Sequence, residues 1–418
     1  MNSSVMEIDR MKLGTIVAVG ALFMATAGSL HAQGAVTRAV TRADVVAAAL
    51  ARGPRITFAK ADSTAAHAGL TIAKQFENPV LSLSYSKAAP QQHFIVDVPL
   101  DYPWLRRARV GAAASGLGAA RSRFEFERAA VTFEAETAYT NALAAAKRAT
   151  FSRSTARDAD SVLKLARVRR DAGDGSELDV QLAAVSLGQV ANAAARDSVD
   201  AVAAVLSVQA LMGLPSESPT IAFADTLEAG ESVRADAQAG TQLLVAAAEQ
   251  DLLQADQALT LERRLLFGAP SLTVGWEARD PTGQETGTLP TVGIALPLPL
   301  FNQNRGTILL AQSQRDRADA ALTLARQEGA QQAARARREL ALARDRLARS
   351  ERLVTAANQV EQLSLLSYRE GASSLPNVLE AQKIARETLS QYVDDVAAVR
   401  NAAGILRLLT LTAHGNDK

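Results

Sequence analysis

Few side chains in this sequence have the chemistry of a catalytic or metal site, and those few are far apart. The 418 residues include no cysteine, and His67, His93 and His414 are the histidines that follow residue 32. A structural or catalytic zinc ion needs three or four such ligands close together. The sequence also lacks a Gly-x-Ser-x-Gly elbow, a His-Glu-x-x-His pair and a glycine-rich phosphate loop after a strand. We therefore expect no catalytic residue, no metal, no cofactor and no enzymatic activity.

The most distinctive polar residues lie instead in two short turns that repeat one pattern. The pattern is Gly-x-x-Ser-x-x-x-Val, at Gly173, Ser176 and Val180 and again at Gly371, Ser374 and Val378. Glycine tolerates the left-handed conformation that ends a helix, and serine is a favoured N-cap. Proline is favoured in a first helical turn, which is where Pro376 falls. Each pattern therefore predicts a tight turn between two helices.

These turns belong to a longer duplication of the chain. The two turns are offset by 198 residues, as are Pro99 and Pro297, whereas Pro79 and Pro270 are offset by 191. The seven extra residues lie between the two strands of the second copy, in a longer loop that contains the turn formers at 280–283. Each copy predicts a strand, a loop, a strand, a very long helix, a tight turn and a returning helix.

Four segments show the alternation of a β-strand. Leu81, Leu83 and Tyr85 alternate with serines in 80–86, and similar patterns occupy 94–100, 272–277 and 292–297. A half-buried sheet beneath helices would show this pattern, and so would strands that face lipid on one side. Four strands cannot close a barrel by themselves, but strands from several copies of the chain could.

The predicted long helices have few breaks. No glycine or proline occurs between Ala119 and Val168, so a helix that starts near Leu105 would extend about 95 Å. The second runs from about Thr307 to Tyr368 and contains Gly329 as its one interruption. A helix of this length cannot bury its apolar stripe against itself. We expect it to pack on its hairpin partner and on neighbouring chains.

The N-terminal segment predicts export from the cytoplasm, and the charge distribution bears on the class of partner. Arg10 and Lys12 precede an apolar run and a cleavage site of small residues that ends at Ala32, which predicts a signal peptide at 1–32. A membrane anchor is the alternative, but the run is shorter than the ~20 residues that span a bilayer. Net charge is +1 and charges of both signs are interleaved, so we expect no nucleic-acid partner.

With these features the chain resembles the TolC family of outer-membrane efflux proteins. The resemblance rests on the two turn patterns, on Tyr-Arg-Glu-Gly at 368–371 and on Leu-Met-Gly-Leu-Pro at 211–215. It also rests on Leu-Pro-Leu-Pro-Leu-Phe-Asn-Gln-Asn-Arg-Gly at 296–306, which is particularly similar to exporters of the cobalt, zinc and cadmium type. Many relatives carry a lipid-modified cysteine after the signal peptide, and this chain has none.

The resemblance implies a mainly α fold with a small β part. Three copies would form an α-barrel tunnel and a twelve-stranded transmembrane β-barrel, with four strands from each chain. It further implies an outer-membrane location that extends into the periplasm. The implied partners are two identical chains, a periplasmic adaptor (membrane fusion) protein, a proton-driven inner-membrane pump and outer-membrane lipid.

By position, the resemblance also assigns roles to the hairpin tips. The residues that would dock the adaptor are Arg170, Gly173, Ser176, Leu178, Val180, Tyr368, Gly371, Ser374, Leu375 and Val378. Family pores are often narrowed by acidic side chains, and the candidates here are Asp171, Asp174, Asp179 and Glu370.

The predicted organisation has six segments, and two rival functions remain open. The segments are a signal peptide (1–32), N-terminal periplasmic helices (33–78), repeat 1 (79–215), a linker and helix (216–268), repeat 2 (269–412) and a tail (413–418). One rival is a periplasmic coiled-coil adaptor or scaffold without a pore, which should carry a single hairpin flanked by β-rich domains. The other is a soluble helical enzyme, against which the missing catalytic constellation counts.

Overall fold

The computed structural model describes residues 38–88, 90–215, 217–228, 241–265, 270–278 and 288–413. The predicted signal peptide, the turn-forming loop at 280–283, His414 and the rest of the tail after residue 413 lie outside these residues. Two helical hairpins make up most of the described chain. Helices α3 (Pro103–Asp171) and α4 (Glu177–Leu211) form the first hairpin, and α6 (Arg305–Arg369) and α7 (Leu375–Thr410) form the second.

The predicted long helices are confirmed. Helix α3 has 69 residues and α6 has 65, so each extends about 100 Å. Helix α6 continues without a break through Gly329, and Gln242, the N-cap residue of α5, lies beside it there. A side chain at position 329 would collide with the side chain of Gln242. The glycine therefore allows close packing of two helices and does not end one.

Three shorter helices accompany the hairpins. They are α1 (Arg42–Arg52), α2 (Pro54–Lys74) and α5 (Leu243–Arg264). Helix α5 packs between α3 and α6, whereas α2 packs along α3 and otherwise contacts only α1 to any extent among the described elements. None of the helices in the described ranges is both long enough and apolar enough to cross a membrane.

The four predicted strands form one antiparallel sheet. They are β2 (Val80–Tyr85), β3 (Gln92–Pro99), β5 (Ser271–Ala278) and β6 (Leu289–Ala295), in the order β2-β3-β5-β6. The predicted bounds were correct to within one or two residues at most ends. No helix packs extensively on this sheet within the described residues, so the strands do not lie beneath a helical layer. Strands β2 and β6 are its edges.

A second, smaller sheet was not predicted from the sequence. Strand β1 (Arg38–Val40) pairs in parallel with β4 (Ile221–Phe223), and both pack on α1 and on the middle of the first hairpin. Tyr139 is fully buried in this cluster, where its hydroxyl donates to Asp225 at 2.9 Å and lies 3.1 Å from the Val40 carbonyl oxygen. Burial, supported by the bond to Asp225, raises the pKa of Tyr139 to about 12.

Candidate functional site

The two hairpin tips have the turn geometry that their sequence pattern predicts. Gly173 has φ +83° and Gly371 has φ +77°, which is the left-handed region where a side chain is strained. Each glycine follows the last residues of a long helix, α3 or α6. Both turns therefore reverse the chain tightly because glycine occupies the C′ position.

The first tip is held together by exposed charges and a capping box. The Arg170 guanidinium lies 2.7 Å from Asp171 and 3.0 Å from Glu177. Hydrogen bonds from Gln181 and Arg170 lower the pKa of Glu177, and those to Asp171 and Glu177 raise the pKa of Arg170. Ser176 caps α4, since its hydroxyl accepts from the amide of Asp179 at 3.1 Å and its own amide donates to the Asp179 carboxylate at 3.3 Å.

The second tip has the same backbone path but different support. Ser374 occupies the N-cap position of α7, yet its side chain makes no capping hydrogen bond. Pro376 lies in the first turn, as predicted, and Leu375 beside it is almost completely buried. This tip therefore depends on apolar burial where the first depends on polar contacts.

Arg169 joins the two tips, and no sequence pattern singled it out. Its guanidinium lies 4.7 Å from the centre of the Tyr368 ring and donates to the Tyr368 carbonyl oxygen. A second donor reaches the carbonyl oxygen of Asp174 at 3.2 Å. Below this contact, buried residues from both hairpins form one cluster: Val162, Leu163, Ala166, Val180, Ala183, Tyr368, Leu375 and Val378. The two tips consequently form a single end surface.

The structure places the predicted docking residues in two groups. The first group is exposed or half-buried at the end surface, and consists of Arg170, Gly173, Ser176, Leu178, Gly371 and Ser374. The second is buried in the cluster between the hairpins, and consists of Val180, Tyr368, Leu375 and Val378. In a single chain the buried group is inaccessible, so any part it plays in docking is to hold the shape of the tip.

The four candidate aperture acids also lie at this end. Asp171, Asp174 and Glu370 are exposed, and Asp171 is paired with Arg170. Asp179 is half-buried and its carboxylate caps α4, so it already has a structural task. The four acidic residues therefore lie at the same end of the hairpins, and their role at an aperture remains a prediction.

At the opposite end of the long helices, the sheet has one apolar face. The strand register places Leu81, Val96, Val274 and Val292 in one row across all four strands. The next row contains Leu83, Phe94, Trp276 and Pro290, and the Phe94 and Trp276 rings stack at 5.3 Å. The predicted alternation is thus confirmed as aligned rows, most of whose large side chains are solvent-exposed in the single chain.

The other face of the sheet carries polar side chains that bond to one another. Asp97 accepts a hydrogen bond from Thr273 at 2.6 Å, and His93 Nδ1 lies 3.2 Å from the Glu277 carboxylate. Ser82 and Ser84 belong to the same face. A sheet with one apolar and one polar face suits a boundary between two solvents of different polarity.

A polar pair midway along the hairpins repeats with the same offset as the tips. Ser152 donates to Asp197 in the first hairpin, and Ser350 donates to Asp395 in the second. Both members of the pair are separated from their counterparts by 198 residues. We did not predict these pairs, although both the serine and the aspartate recur at the same offset. Within the described residues, no group of three or more histidine and acidic side chains could hold a metal ion.

The sequence matches no protein-family model, and no curated protein matches it either. Solved structures do resemble it. The CmeC outer membrane channel of Campylobacter jejuni superposes with a TM-score of 0.72 and 16% identity, over 88% of this chain and 85% of that chain. The outer membrane protein VceC of Vibrio cholerae gives 0.72 and 17%, over 89% and 96%. The open state of the MtrE outer membrane channel of Neisseria gonorrhoeae gives 0.69 and 16%, over 88% of each chain.

This chain has the fold of these channels. The predicted fold class, mainly α with a small sheet and a duplicated strand-strand-hairpin unit, is therefore confirmed. The likeness extends over nearly nine tenths of the chain. At these identities the likeness concerns the fold, and function has to be argued from the chain's own residues.

Proposed function

We propose that this protein is the outer-membrane channel of a tripartite efflux system. It conducts substrate that an inner-membrane pump and a periplasmic adaptor deliver, and it does no chemistry on that substrate. The observation that carries the proposal is the single two-faced sheet at one end of two hairpins about 100 Å long. The sheet suits the membrane, and the hairpins have the length of a periplasmic tunnel.

The open edges of the sheet support an assembly of several chains. Strands β2 and β6 each lack a neighbour on one side within the described residues. They run antiparallel to each other, so β6 of one copy can pair with β2 of the next. Three copies would close a sheet of twelve strands with the apolar rows facing lipid and the polar face lining the pore. Tyr102 and Trp104 stack at 4.5 Å beside the sheet, where an interfacial aromatic belt would lie.

The helices support the same arrangement. Helix α5 lies between the long helices of both repeats, whereas its counterpart α2 packs along only one of them. A further copy placed beside α2 would give it the second neighbour that α5 already has. A single chain with two hairpins and one four-stranded sheet at their end also differs from the layout expected of an adaptor, which has one hairpin flanked by β-rich domains.

Fractionation and crosslinking test the proposal directly. We expect the mature protein in the outer-membrane fraction, and a bifunctional crosslinker should produce dimers and trimers. Purified protein reconstituted in planar bilayers should also conduct ions. Recovery of a soluble monomer from the periplasm, with no bilayer conductance, would reject the channel.

Docking of an adaptor at the tips is the second part of the proposal. The exposed tip residues support it, and the glycine turns offer a sharp test. We expect G173V/G371V to impair efflux while the trimer still assembles, because valine at a positive φ costs about 1–2 kcal/mol at each turn. Gly188 is a matched control, since it lies in α4 with open space around it and an ordinary helical φ. Normal efflux by G173V/G371V would contradict docking at the tips.

A finer proposal concerns what is exported. The segment 296–306, which leads from β6 into α6, supports a heavy-metal exporter of the cobalt, zinc and cadmium type. Deletion of the gene should then increase sensitivity to those ions more than to organic drugs. Equal sensitivity to both classes would leave the channel intact and remove this assignment.

A further inference from the structure

A histidine on the polar face of the sheet lies at the end that is farthest from the helices. Strand β2 ends at Tyr85 and β3 begins at Gln92, while α2 precedes β2 and α3 follows β3. The loop between the two strands is therefore at the end away from the hairpins, and His93 lies just after this loop. In the proposed channel, this end of the sheet is the outer mouth of the pore.

Both ring nitrogens of His93 face a hydrogen-bond acceptor. Nδ1 lies 3.2 Å from the carboxylate of Glu277, which is directly opposite on β5. Nε2 lies 3.4 Å from the hydroxyl oxygen of Ser86. A serine hydroxyl has a single hydrogen, and here it is directed at the carbonyl oxygens of Ala88 at 2.7 Å and Pro90 at 3.4 Å. Towards His93, the Ser86 oxygen therefore acts as an acceptor.

The protonated imidazole is the form that satisfies both contacts. A neutral imidazole has one N–H donor and one lone pair, whereas the imidazolium ion has two donors. A neutral ring would leave one contact unmade, or would take the Ser86 hydrogen away from Ala88. The side chains of His93 and Glu277 are 23% and 27% exposed, so water reaches the pair. The geometry is thus that of a site that binds and releases a proton.

The remaining charge on the four described strands is too far away to replace this proton. Ser84 lies opposite His93 on β2, and Leu289 lies opposite Glu277 on β6. Asp97 shares the polar face of β3 but is four residues further along, which corresponds to about 13 Å. Charges at that distance are largely screened at physiological ionic strength, where the Debye length is about 8 Å. The charge at this level of the sheet is consequently decided by His93 and Glu277.

We propose that His93 and Glu277 form a proton-operated charge ring at the outer mouth, and that this ring sets which ions the pore prefers. The inference rests on the proposed function, because a ring exists only when the polar faces of several copies surround one pore. Each pair has one negative charge when the imidazole is neutral and no net charge when it is protonated. Imidazole ordinarily titrates between about pH 5 and 8. The ring therefore favours cations at alkaline pH, and this preference is lost as the pH falls.

Reversal potentials of the full-length channel in planar bilayers test the inference. The bilayer separates two KCl solutions of different concentration, and the potential at zero current gives the ratio of K⁺ to Cl⁻ permeability. Between about pH 8 and 5.5, we expect this ratio to fall at least about twofold in the wild type, because charges that line a narrow passage change the local concentration of small ions.

Two variants separate the histidine from its partner. H93Q removes the titrating group and leaves Glu277 and the exposed Lys87 of the neighbouring loop in place, so its ratio should stay high at both pH values. E277Q should show a low ratio at pH 8 and prefer anions at pH 5.5, because the imidazolium then has no carboxylate partner. H67Q is the matched control, since His67 is also exposed but lies on α2, and it should respond like the wild type.

The outcomes distinguish this inference from the proposed function. A channel that conducts with the same permeability ratio at both pH values would overturn the inference and leave the channel standing, and so would H93Q channels that respond like the wild type. E277Q gives an independent test if H93Q fails to assemble, and an unchanged ratio in E277Q at pH 8 would also overturn the inference. A wild-type protein that never conducts in bilayers would overturn the proposed channel and the ring together.

Discussion

The two repeats follow the same path through strands and hairpin, yet their surroundings differ midway along the helices. In the first repeat, Tyr139 is fully buried beneath β1, β4 and α1. Its counterpart 198 residues later is Arg337, which is exposed to solvent. The tips differ as well, since the first is braced by exposed ion pairs and the second by a buried tyrosine and leucine.

This difference shows what a duplication specifies and what it leaves free. Turn residues, helix lengths and strand alternation are shared, because they determine the path of the backbone. Side chains that face a neighbour have diverged, because each repeat has its own neighbours. The comparison can be tested by changing matched positions in the two repeats.

The largest expected effect is at the second tip. Y368A removes a buried ring and its contact with Arg169, and should lower the free energy of unfolding of this region by about 3 kcal/mol or more. R170A at the first tip removes only exposed ion pairs and should cost much less. Hydrogen exchange of the tip amides measures both, and equal effects would contradict the contrast between the tips.

The next effect concerns pH and the first repeat alone. The pKa of Tyr139 is raised to about 12, so the folded state keeps its proton while the unfolded chain loses it above about pH 10. Stability should therefore fall between about pH 10 and 12, by about 1.4 kcal/mol per unit. The melting temperatures of wild type and Y139F are compared across this pH range. Their difference isolates the contribution of Tyr139 from that of the other tyrosines, which both proteins share. R337A, at the counterpart position, should leave this slope unchanged.

A moderate effect is expected at the repeated serine and aspartate pairs. S350A should cost about 1–3 kcal/mol, because it leaves a buried carboxylate, Asp395, with one hydrogen bond fewer. S152A should cost less, since Asp197 is only half-buried and water can replace the lost donor. Thermal unfolding in detergent compares the two variants, and a larger loss for S152A would contradict this ranking.

The smallest effect separates the two N-caps. S176A should cost about 1 kcal/mol, because it removes the bond to the Asp179 amide. S374A should cost only a few tenths, since the Ser374 side chain makes no capping bond. Exchange rates of the first amides of α4 and α7 provide the measurement, and equal changes at both helices would show that the two caps are equivalent.

Much of the fold could be predicted from the sequence, for a physical reason. The glycine turns, the uninterrupted helices and the alternating strands are local features, and the duplication of each confirms the interpretation of the other. The contacts of Arg169 with Tyr368, of Tyr139 with Asp225 and of β1 with β4 could not be predicted in this way, because each joins residues that lie far apart in the chain. The repeated pairs at Ser152 and Ser350 were detectable, because both members recur at the same offset.

The candidate site was predicted less completely than the fold. The repeated sequence pattern located both turns correctly. It could not show that the side chains of Tyr368 and Leu375 are buried while that of Leu178 faces solvent. That distinction depends on how the second hairpin lies against the first. Contacts of this kind are decided by packing between elements, which a pattern within one element does not reveal.

The unpaired edges of the four-stranded sheet have a consequence for the life of the protein before assembly. A newly exported chain would present two rows of free backbone amides and carbonyls next to uncovered apolar side chains, a combination that invites aggregation. We expect the single chain to need a holding chaperone during transit, and to be degraded quickly when its synthesis exceeds the supply of that chaperone.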